Sequence, residues 1–159
     1  MKQIEISRWL KMITIAIAII GMIFFLWIVP TLAEEMRDMY PEVAFLYWPG
    51  LIYGGLIAIL CYLILFQFWK VCHEIGVDNS FSFENACSFK IMSRYAAIMA
   101  VIWFIGLVGL SIKNWLQAGI MLFMIFAIFA SIVVAICTAA LSHLVLKAYE
   151  MKKENELTI

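Results

Sequence analysis

The sequence predicts an all-α integral membrane protein with four membrane-spanning helices. Four apolar stretches, approximately residues 12–29, 51–69, 95–112 and 119–146, occupy most of the 159 residues, and none has a charged residue at its centre. A hydrocarbon core about 30 Å thick requires about 20 apolar residues in helical form. Only helices and closed barrels satisfy their own backbone hydrogen bonds inside a bilayer. We therefore expect a four-helix bundle embedded in the lipid bilayer.

The composition excludes a soluble globular protein. Hydrophobic residues make up 66% of the chain and charged residues 14%, whereas about 25% of the residues in a soluble domain are charged. The four spans leave no room for a separate globular domain, and no Pro/Gly/Ser-rich linker divides the chain. We expect residues 1–159 to form a single domain that crosses the cell membrane several times.

The distribution of basic residues predicts how the chain is oriented. One side of the spans is flanked by Lys2, Arg8, Lys11, Lys70, Lys90, Arg94, Lys147, Lys152 and Lys153, and the other by Arg37 and Lys113 alone. Because Lys and Arg accumulate in short cytoplasmic segments, both termini and the loop between the second and third spans are predicted to be cytoplasmic. An acidic loop containing Glu34, Glu35, Asp38 and Glu42 would then face outward.

The first apolar stretch also has features of a secretory signal peptide. It follows a basic start and precedes Thr31-Leu32-Ala33, which could form a small-residue cleavage site. Its apolar run, however, is longer than the roughly 7 to 15 residues of a typical signal core. Pro30 lies just upstream of the potential cleavage point. We expect this stretch to be retained as a permanent helix.

The second, third and fourth helices are predicted to extend beyond the membrane on the cytoplasmic side. The second can continue to Gly76, since a glycine past the last turn can adopt the left-handed conformation that ends a helix. A third helix is predicted over residues 83–112, with Ser82 as its N-cap and Glu84 favouring its positive start. The fourth is expected over residues 119–149. These extensions would either form a protrusion where a protein partner could dock, or merely tilt or lie at the headgroup layer.

The sequence offers no catalytic set. An ion or proton pathway normally contains an ionisable residue inside the membrane, and none lies near the centre of a span. The deepest polar side chains can all bond to neighbouring backbone carbonyls; they are Gln67, Ser131, Thr138, Ser142 and His143. A nucleophile such as Ser82 or Cys87 would need a base and an orienting group, and no such triad can be assembled. We expect neither enzymatic activity nor a cofactor.

A zinc site is the most specific chemical function that these residues could serve. Cys72, His73, Cys87 and His143 map near the inner face and are suitable zinc ligands. Their spacing contains neither a C-x-x-C pair nor an H-E-x-x-H helix. Adjacent residues also point to different faces of a helix. We expect no metal site.

Two further features concern partners. The C-terminal tail alternates basic and acidic residues: Lys147, Lys152 and Lys153 with Glu150, Glu154 and Glu156. This pattern is typical of a solvated helix end rather than a nucleic-acid surface.

Gly50 and Gly54 form a Gly-x-x-x-Gly pair at the edge of the second span. Such a pair allows close packing either within the bundle or in a homo-oligomer.

The stretch Ile75-Gly76-Val77-Asp78-Asn79-Ser80-Phe81-Ser82-Phe83-Glu84-Asn85 resembles the signature of a bacterial family of small four-helix membrane proteins, domain of unknown function 2975, the YoaS-like group. The signature has a glycine, a Phe-Ser, a Glu-Asn and a basic residue. Here these are Gly76, Phe81, Ser82, Glu84, Asn85 and Lys90. The length and four-span layout also match over nearly the whole chain.

The resemblance implies a membrane component of a regulatory pair, because members often accompany a small helix-turn-helix regulator of the Xre type. The first hypothesis is therefore that the inner motif binds a cytoplasmic transcriptional regulator. The alternatives are protection against a cationic membrane-active peptide, which the acidic outer segment would attract, and an accessory role in a larger membrane complex. The motif could also act only in starting the third helix, since capping explains Ser82 and Glu84 without any partner.

Overall fold

Four helices of the chain are long and apolar enough to cross a membrane, as the sequence predicts. The computed structural model describes the backbone of residues 3–157 and the side chains of residues 3–155. Lys2 and the side chain of Glu156, both used in the sequence predictions, lie outside the described residues. The α-helices are α1 (Gln3–Ile23), α2 (Val29–Met39), α3 (Tyr47–Gly76), α4 (Phe83–Ile112) and α5 (Ala118–Leu157).

The first spanning helix is continuous and longer than predicted. A π-helical turn, Phe24–Ile28, joins α1 to α2, so that the helix runs from Gln3 to Met39. Pro30 lies in the first turn of α2, directly after this π-helical turn. The hydroxyl of Thr31 donates a 2.8 Å hydrogen bond to the carbonyl of Trp27 in this turn. The helix therefore passes the proline instead of ending there.

The prediction of an acidic loop is wrong, because most of its carboxylates lie on a helix. Glu34, Glu35 and Asp38 belong to α2, and Glu42 lies in the 3₁₀-helix Pro41–Leu46 that leads into α3. The predicted limits of α4 are confirmed, and α3 ends at Gly76 as expected. Helix α5 continues to Leu157, eight residues past the predicted Tyr149.

The helices pack in chain order. Helix α1 packs against α3, α3 against α4, and α4 against α5; among residues 3–157, α1 does not approach α4 or α5, nor does α3 approach α5, at the level of the backbone. In the most apolar part of each span only 6% to 11% of the residues are buried within the chain. The four-helix arrangement is therefore open, and most of its apolar surface is left to the lipid.

Hydrogen bonds from side chains to backbone carbonyls link each neighbouring pair. Between α1 and α3, the hydroxyl of Ser7 donates to Cys72 O (2.6 Å). Between α3 and α4, that of Tyr53 donates to Ile102 O (2.8 Å). Between α4 and α5, that of Ser93 donates to Ala135 O (2.9 Å). In an apolar medium such bonds hold helices in register.

The pairing of antiparallel helices places both described chain ends and the α3–α4 connection at the same end of the molecule. We call this the basic end, because it carries Arg8, Lys11, Lys70, Lys90, Arg94, Lys147, Lys152 and Lys153. The opposite end, with Glu34, Glu35, Asp38 and Glu42, is the acidic end. Helix α5 extends furthest at the basic end, since Ser142 is hydrogen-bonded to Ala86 near the start of α4. The residues beyond Val145 add about 18 Å of helix.

Candidate functional site at the basic end

The α3–α4 connection, residues 77–82, is held in one conformation by hydrogen bonds; we call it the hairpin loop. The Nδ2 of Asn85 donates to two loop carbonyls, Ser80 O at 3.0 Å and Asn79 O at 3.4 Å. The Nδ2 of Asn79 in turn donates to the Glu74 carboxylate at 2.8 Å. Ser82 Oγ accepts from the backbone N–H of Asn85 at 3.2 Å. The hairpin loop is therefore tied to both helices that it connects.

Ser82 acts as the predicted N-cap of α4. Its backbone is extended, with φ −120° and ψ 157°, and its hydroxyl accepts a hydrogen bond from the first turn. This geometry satisfies one of the free N–H groups at a helix start, which is worth about 1 kcal/mol. The side chain of Glu84 lies in the same first turn and is exposed.

The predicted left-handed conformation of Gly76 is wrong. None of the glycines has a positive φ, and the left-handed residue of the α3–α4 connection is Asp78, with φ 62°. An aspartate tolerates this conformation because its short polar side chain can bond locally. Gly76 is needed for a different reason: a Cβ at this position would lie 2.6 Å from Ser7 Oγ. Its lack of a side chain allows α1 and α3 to approach each other.

The six predicted site residues differ in their solvent exposure. Ser82 and Asn85 are buried and Gly76 is half-buried, whereas Phe81 is 57% exposed and Glu84 and Lys90 are also exposed. The residues from Gly76 to Asn85 come together around the hairpin loop. Lys90 lies further along α4, more than one turn away. The buried members build the loop, and the exposed members are available to a partner.

A cavity of about 460 Å³ lies between α3 and α4 beside the hairpin loop; we call it the α3–α4 cavity. Its lining includes Gln67, Glu74, Glu84, Asn85 and Ser88. Of the deep polar side chains able to bond to a carbonyl, Ser131, Thr138 and Ser142 do so. No hydrogen bond joins Gln67 or His143 to another described residue. Sequence reasoning also missed Ser88, because nothing in the sequence distinguishes it from the other helix serines.

The four potential zinc ligands are dispersed. Cys72 is fully buried against α1, and His73 Nδ1 lies 3.3 Å from Lys11 Nζ within hydrogen-bonding distance. Cys87 is half-buried and His143 is exposed on α5. No group of three His, Cys, Asp or Glu side chains in the described part of the chain could hold a metal ion.

A second cavity, about 470 Å³, lies at the acidic end; we call it the acidic-end groove. Its lining is mostly apolar and includes Val43, Tyr53, Leu110 and Trp115. Arg37 also lines it, and its guanidinium forms an exposed ion pair with Asp38 at 3.3 Å and lies 5.1 Å from the centre of the Tyr47 ring.

Comparison with known proteins agrees with this architecture. The family described as "Protein of unknown function (DUF2975)" matches residues 31–159. The chain is also 27% identical over 152 residues to the "Uncharacterized membrane protein YoaS" of Bacillus subtilis (strain 168), with 94% of each chain covered. No solved structure matches. With four spanning helices and a membrane protein as its relative, this is a multi-pass membrane protein, and it belongs to the DUF2975 family.

Proposed function

We propose that this chain, acting as a single domain over residues 1–159, is a non-enzymatic membrane protein that binds a cytoplasmic helix-turn-helix regulator through the hairpin loop. The observation that carries the proposal is a fixed loop with exposed apolar side chains at its surface. Val77, Phe81 and Phe83 are each more than half exposed, while Asn85 and Ser82 hold the backbone beneath them. A preformed loop binds with little loss of conformational entropy.

The position of the loop supports a partner in the cytoplasm. It lies at the basic end, which the excess of Lys and Arg orients toward the cytoplasm. The projecting part of α5 borders the hairpin loop, since the ring centroids of Phe83 and Tyr149 are 6.5 Å apart. Aromatic side chains in such positions are the residues that most often dominate binding energy at protein interfaces. The regulator as partner comes from the family resemblance.

The test is capture of the regulator by variants of the tagged full-length protein in mild detergent. We expect Phe81→Ala to reduce recovery of a helix-turn-helix protein by about tenfold or more, the effect of losing one central aromatic contact. Phe104→Ala is the matched control, because Phe104 is equally exposed at 57% but lies within the membrane span of α4. Mass spectrometry of the eluates gives the measurement. Equal recovery with both variants, or recovery of no regulator by the unchanged protein, would refute the proposal.

The acidic-end groove favours a second candidate, protection against a cationic amphipathic peptide. The groove offers an apolar surface, and the exposed carboxylates of Glu34, Glu35 and Asp38 lie beside it on α2. Apolar residues of the peptide would enter the groove while its cationic residues approach these carboxylates. The negative field would accelerate the encounter at low salt.

Charge reversal tests this second candidate. We expect replacement of Glu34, Glu35 and Asp38 by Lys to slow association of a labelled cationic peptide with the reconstituted protein by about tenfold or more at low salt. Reversal of Glu5 and Glu150, which lie on exposed positions at the basic end, is the control and should have little effect. Fluorescence anisotropy measures the association rate. Equal rates for the two charge-reversed proteins would exclude the acidic end as a peptide site.

A further inference from the structure

The α3–α4 cavity has a polar wall whose hydrogen-bonding capacity the protein itself leaves unused. Three of its side chains are at least nine-tenths buried: Gln67 is 9% exposed, Ser88 8% and Asn85 1%. No hydrogen bond joins the Gln67 amide or the Ser88 hydroxyl to another described residue, and the buried Oδ1 of Asn85 has no partner. Burying the Asn85 Oδ1 without a partner costs about 1–3 kcal/mol, whereas the polar atoms of Gln67 and Ser88 are not fully buried.

Ser88 differs in this respect from the other helical serines and threonines around it. Thr14 and Ser111 donate back to the carbonyl four residues earlier, which is the usual solution inside a helix. Ser93 and Ser142 donate across to a neighbouring helix. Ser88 does neither, although it is equally able to reach the carbonyl of Glu84. Its hydroxyl is available to whatever occupies the cavity.

The orientation of Asn85 shows which chemistry the wall lacks. Its Nδ2 faces the carbonyls of Asn79 and Ser80, so the reversed amide would place an oxygen against two oxygens. The unpaired atom is therefore the acceptor Oδ1. A ligand that completes this wall must supply hydrogen-bond donors. The Gln67 amide and the Ser88 hydroxyl at the same wall can each accept a hydrogen bond and can each donate one.

The charges around the cavity favour a cation. Glu74 and Glu84 line it, and neither forms an ion pair with a described residue. Lys70 and His73 also line the cavity. The Nζ of Lys70 lies 4.8 Å from the centre of the Phe66 ring. Lys11, which is outside the cavity lining, has its Nζ 5.8 Å from the centre of the Trp69 ring. Both ammonium groups lie against aromatic rings, and neither forms an ion pair with Glu74 or Glu84.

We propose that the α3–α4 cavity binds a primary ammonium group, carried either by a small soluble amine or by an ethanolamine lipid headgroup. A primary ammonium has three N–H donors and one positive charge, which matches a wall of uncharged acceptors beside two carboxylates. Fully N-methylated ammonium ions carry the same charge without any N–H donor. The proposal does not depend on a regulator, although Asn85 belongs both to the cavity wall and to the hydrogen bonds that hold the hairpin loop.

The first test compares soluble probes on the full-length protein in detergent without added lipid. We expect ethylammonium chloride to raise the thermal unfolding midpoint, since a ligand that binds only the folded state stabilises it. Tetramethylammonium chloride at the same concentration should not, and it also controls for ionic strength. The second test places the protein in bilayers containing phosphatidylethanolamine or phosphatidylcholine, whose headgroups differ by the three N-methyl groups.

Variants decide whether a shift arises in the cavity. Gln67→Leu and Glu84→Gln should each weaken the response to the primary ammonium by about tenfold or more, the usual effect of removing a charge-assisted contact. Gln117→Leu and Glu35→Gln at the acidic end are the matched controls and should respond like the unchanged protein. Stabilisation by ethylammonium with equal stability in the two bilayers identifies a soluble amine, and greater stability in phosphatidylethanolamine than in phosphatidylcholine identifies a lipid headgroup. Equal effects of the N-methylated probes, or equal shifts in Gln67→Leu and Gln117→Leu, would overturn the proposal.

Discussion

Replacing Asn85 with aspartate is expected to release the hairpin loop and to destabilise the protein by about 3 kcal/mol or more, the cost of an uncompensated buried charge. The substitution keeps the shape of the side chain but puts a carboxylate oxygen where Nδ2 now donates to Ser80 O and Asn79 O. Asn85 is 1% exposed, so the new charge would be largely removed from water. Two carbonyl oxygens would face a third, negatively charged oxygen.

Two further variants separate the loss of hydrogen bonds from the added charge. Asn85→Ala removes the same donor without adding a charge and should cost less, about 1–3 kcal/mol. Asn155→Asp, at an exposed position on α5, should have little effect. Thermal unfolding in detergent measures stability, and amide hydrogen exchange of residues 79–82 reports loop opening. If Asn85→Asp is no less stable than Asn155→Asp, Asn85 does not hold the hairpin loop in place.

The aspartate variant should also become dependent on pH. A protonated carboxyl group can again donate a hydrogen bond to Ser80 O, so the folded state favours protonation of Asp at position 85 more than the unfolded state does. Where the folded state binds more protons, stability falls as pH rises. Lowering the pH should therefore recover part of the lost stability in Asn85→Asp. Asn85→Ala, which has no titratable group at this position, should not show this recovery.

The parts of the fold that the sequence predicts correctly depend on interactions between residues close in sequence or on the apolarity of whole stretches. The four spans follow from the length and apolarity of the stretches, and the start of α4 at Phe83 follows from a serine cap with a glutamate in the first turn. These signals lie within a few residues of what they determine. The structure therefore confirms the limits of α4.

The predictions that failed depend on contacts between distant residues. Gly76 allows α1 to approach α3 instead of ending α3 in a left-handed conformation. This depends on Ser7, which is 69 residues away in the sequence. The helix also continues through Pro30 because a π-helical turn precedes it, and no local pattern shows this. The unused capacity of Gln67 likewise depends on which residues of α4 face it. Such features require the packing of the helices to be known.

Gly76→Ala is expected to disrupt the contact between α1 and α3 and to destabilise the protein by about 1–3 kcal/mol, as overpacking of a close contact does. The added Cβ would lie 2.6 Å from Ser7 Oγ and 3.1 Å from Ser7 Cβ. The hydroxyl cannot turn away freely, since it is buried and donates a 2.6 Å bond to Cys72 O. At an open helical site the same substitution is expected to stabilise the protein, because alanine is favoured over glycine in a helix by about 1 kcal/mol.

Gly55 provides that open site in the same helix. A Cβ at Gly55 meets no atom within 4 Å, so Gly55→Ala should be neutral or stabilising. A double-mutant cycle with Ser7 then identifies the cause. In the Gly76→Ala background, Ser7→Ala removes the nearest atom and should relieve part of the strain, and Ser7→Gly should relieve more because it also removes Cβ. Strictly additive effects on the unfolding midpoint would show that the two residues are not coupled. Coupling would show that the glycine of the family signature maintains the approach of the first helix to the helix that leads into the hairpin loop.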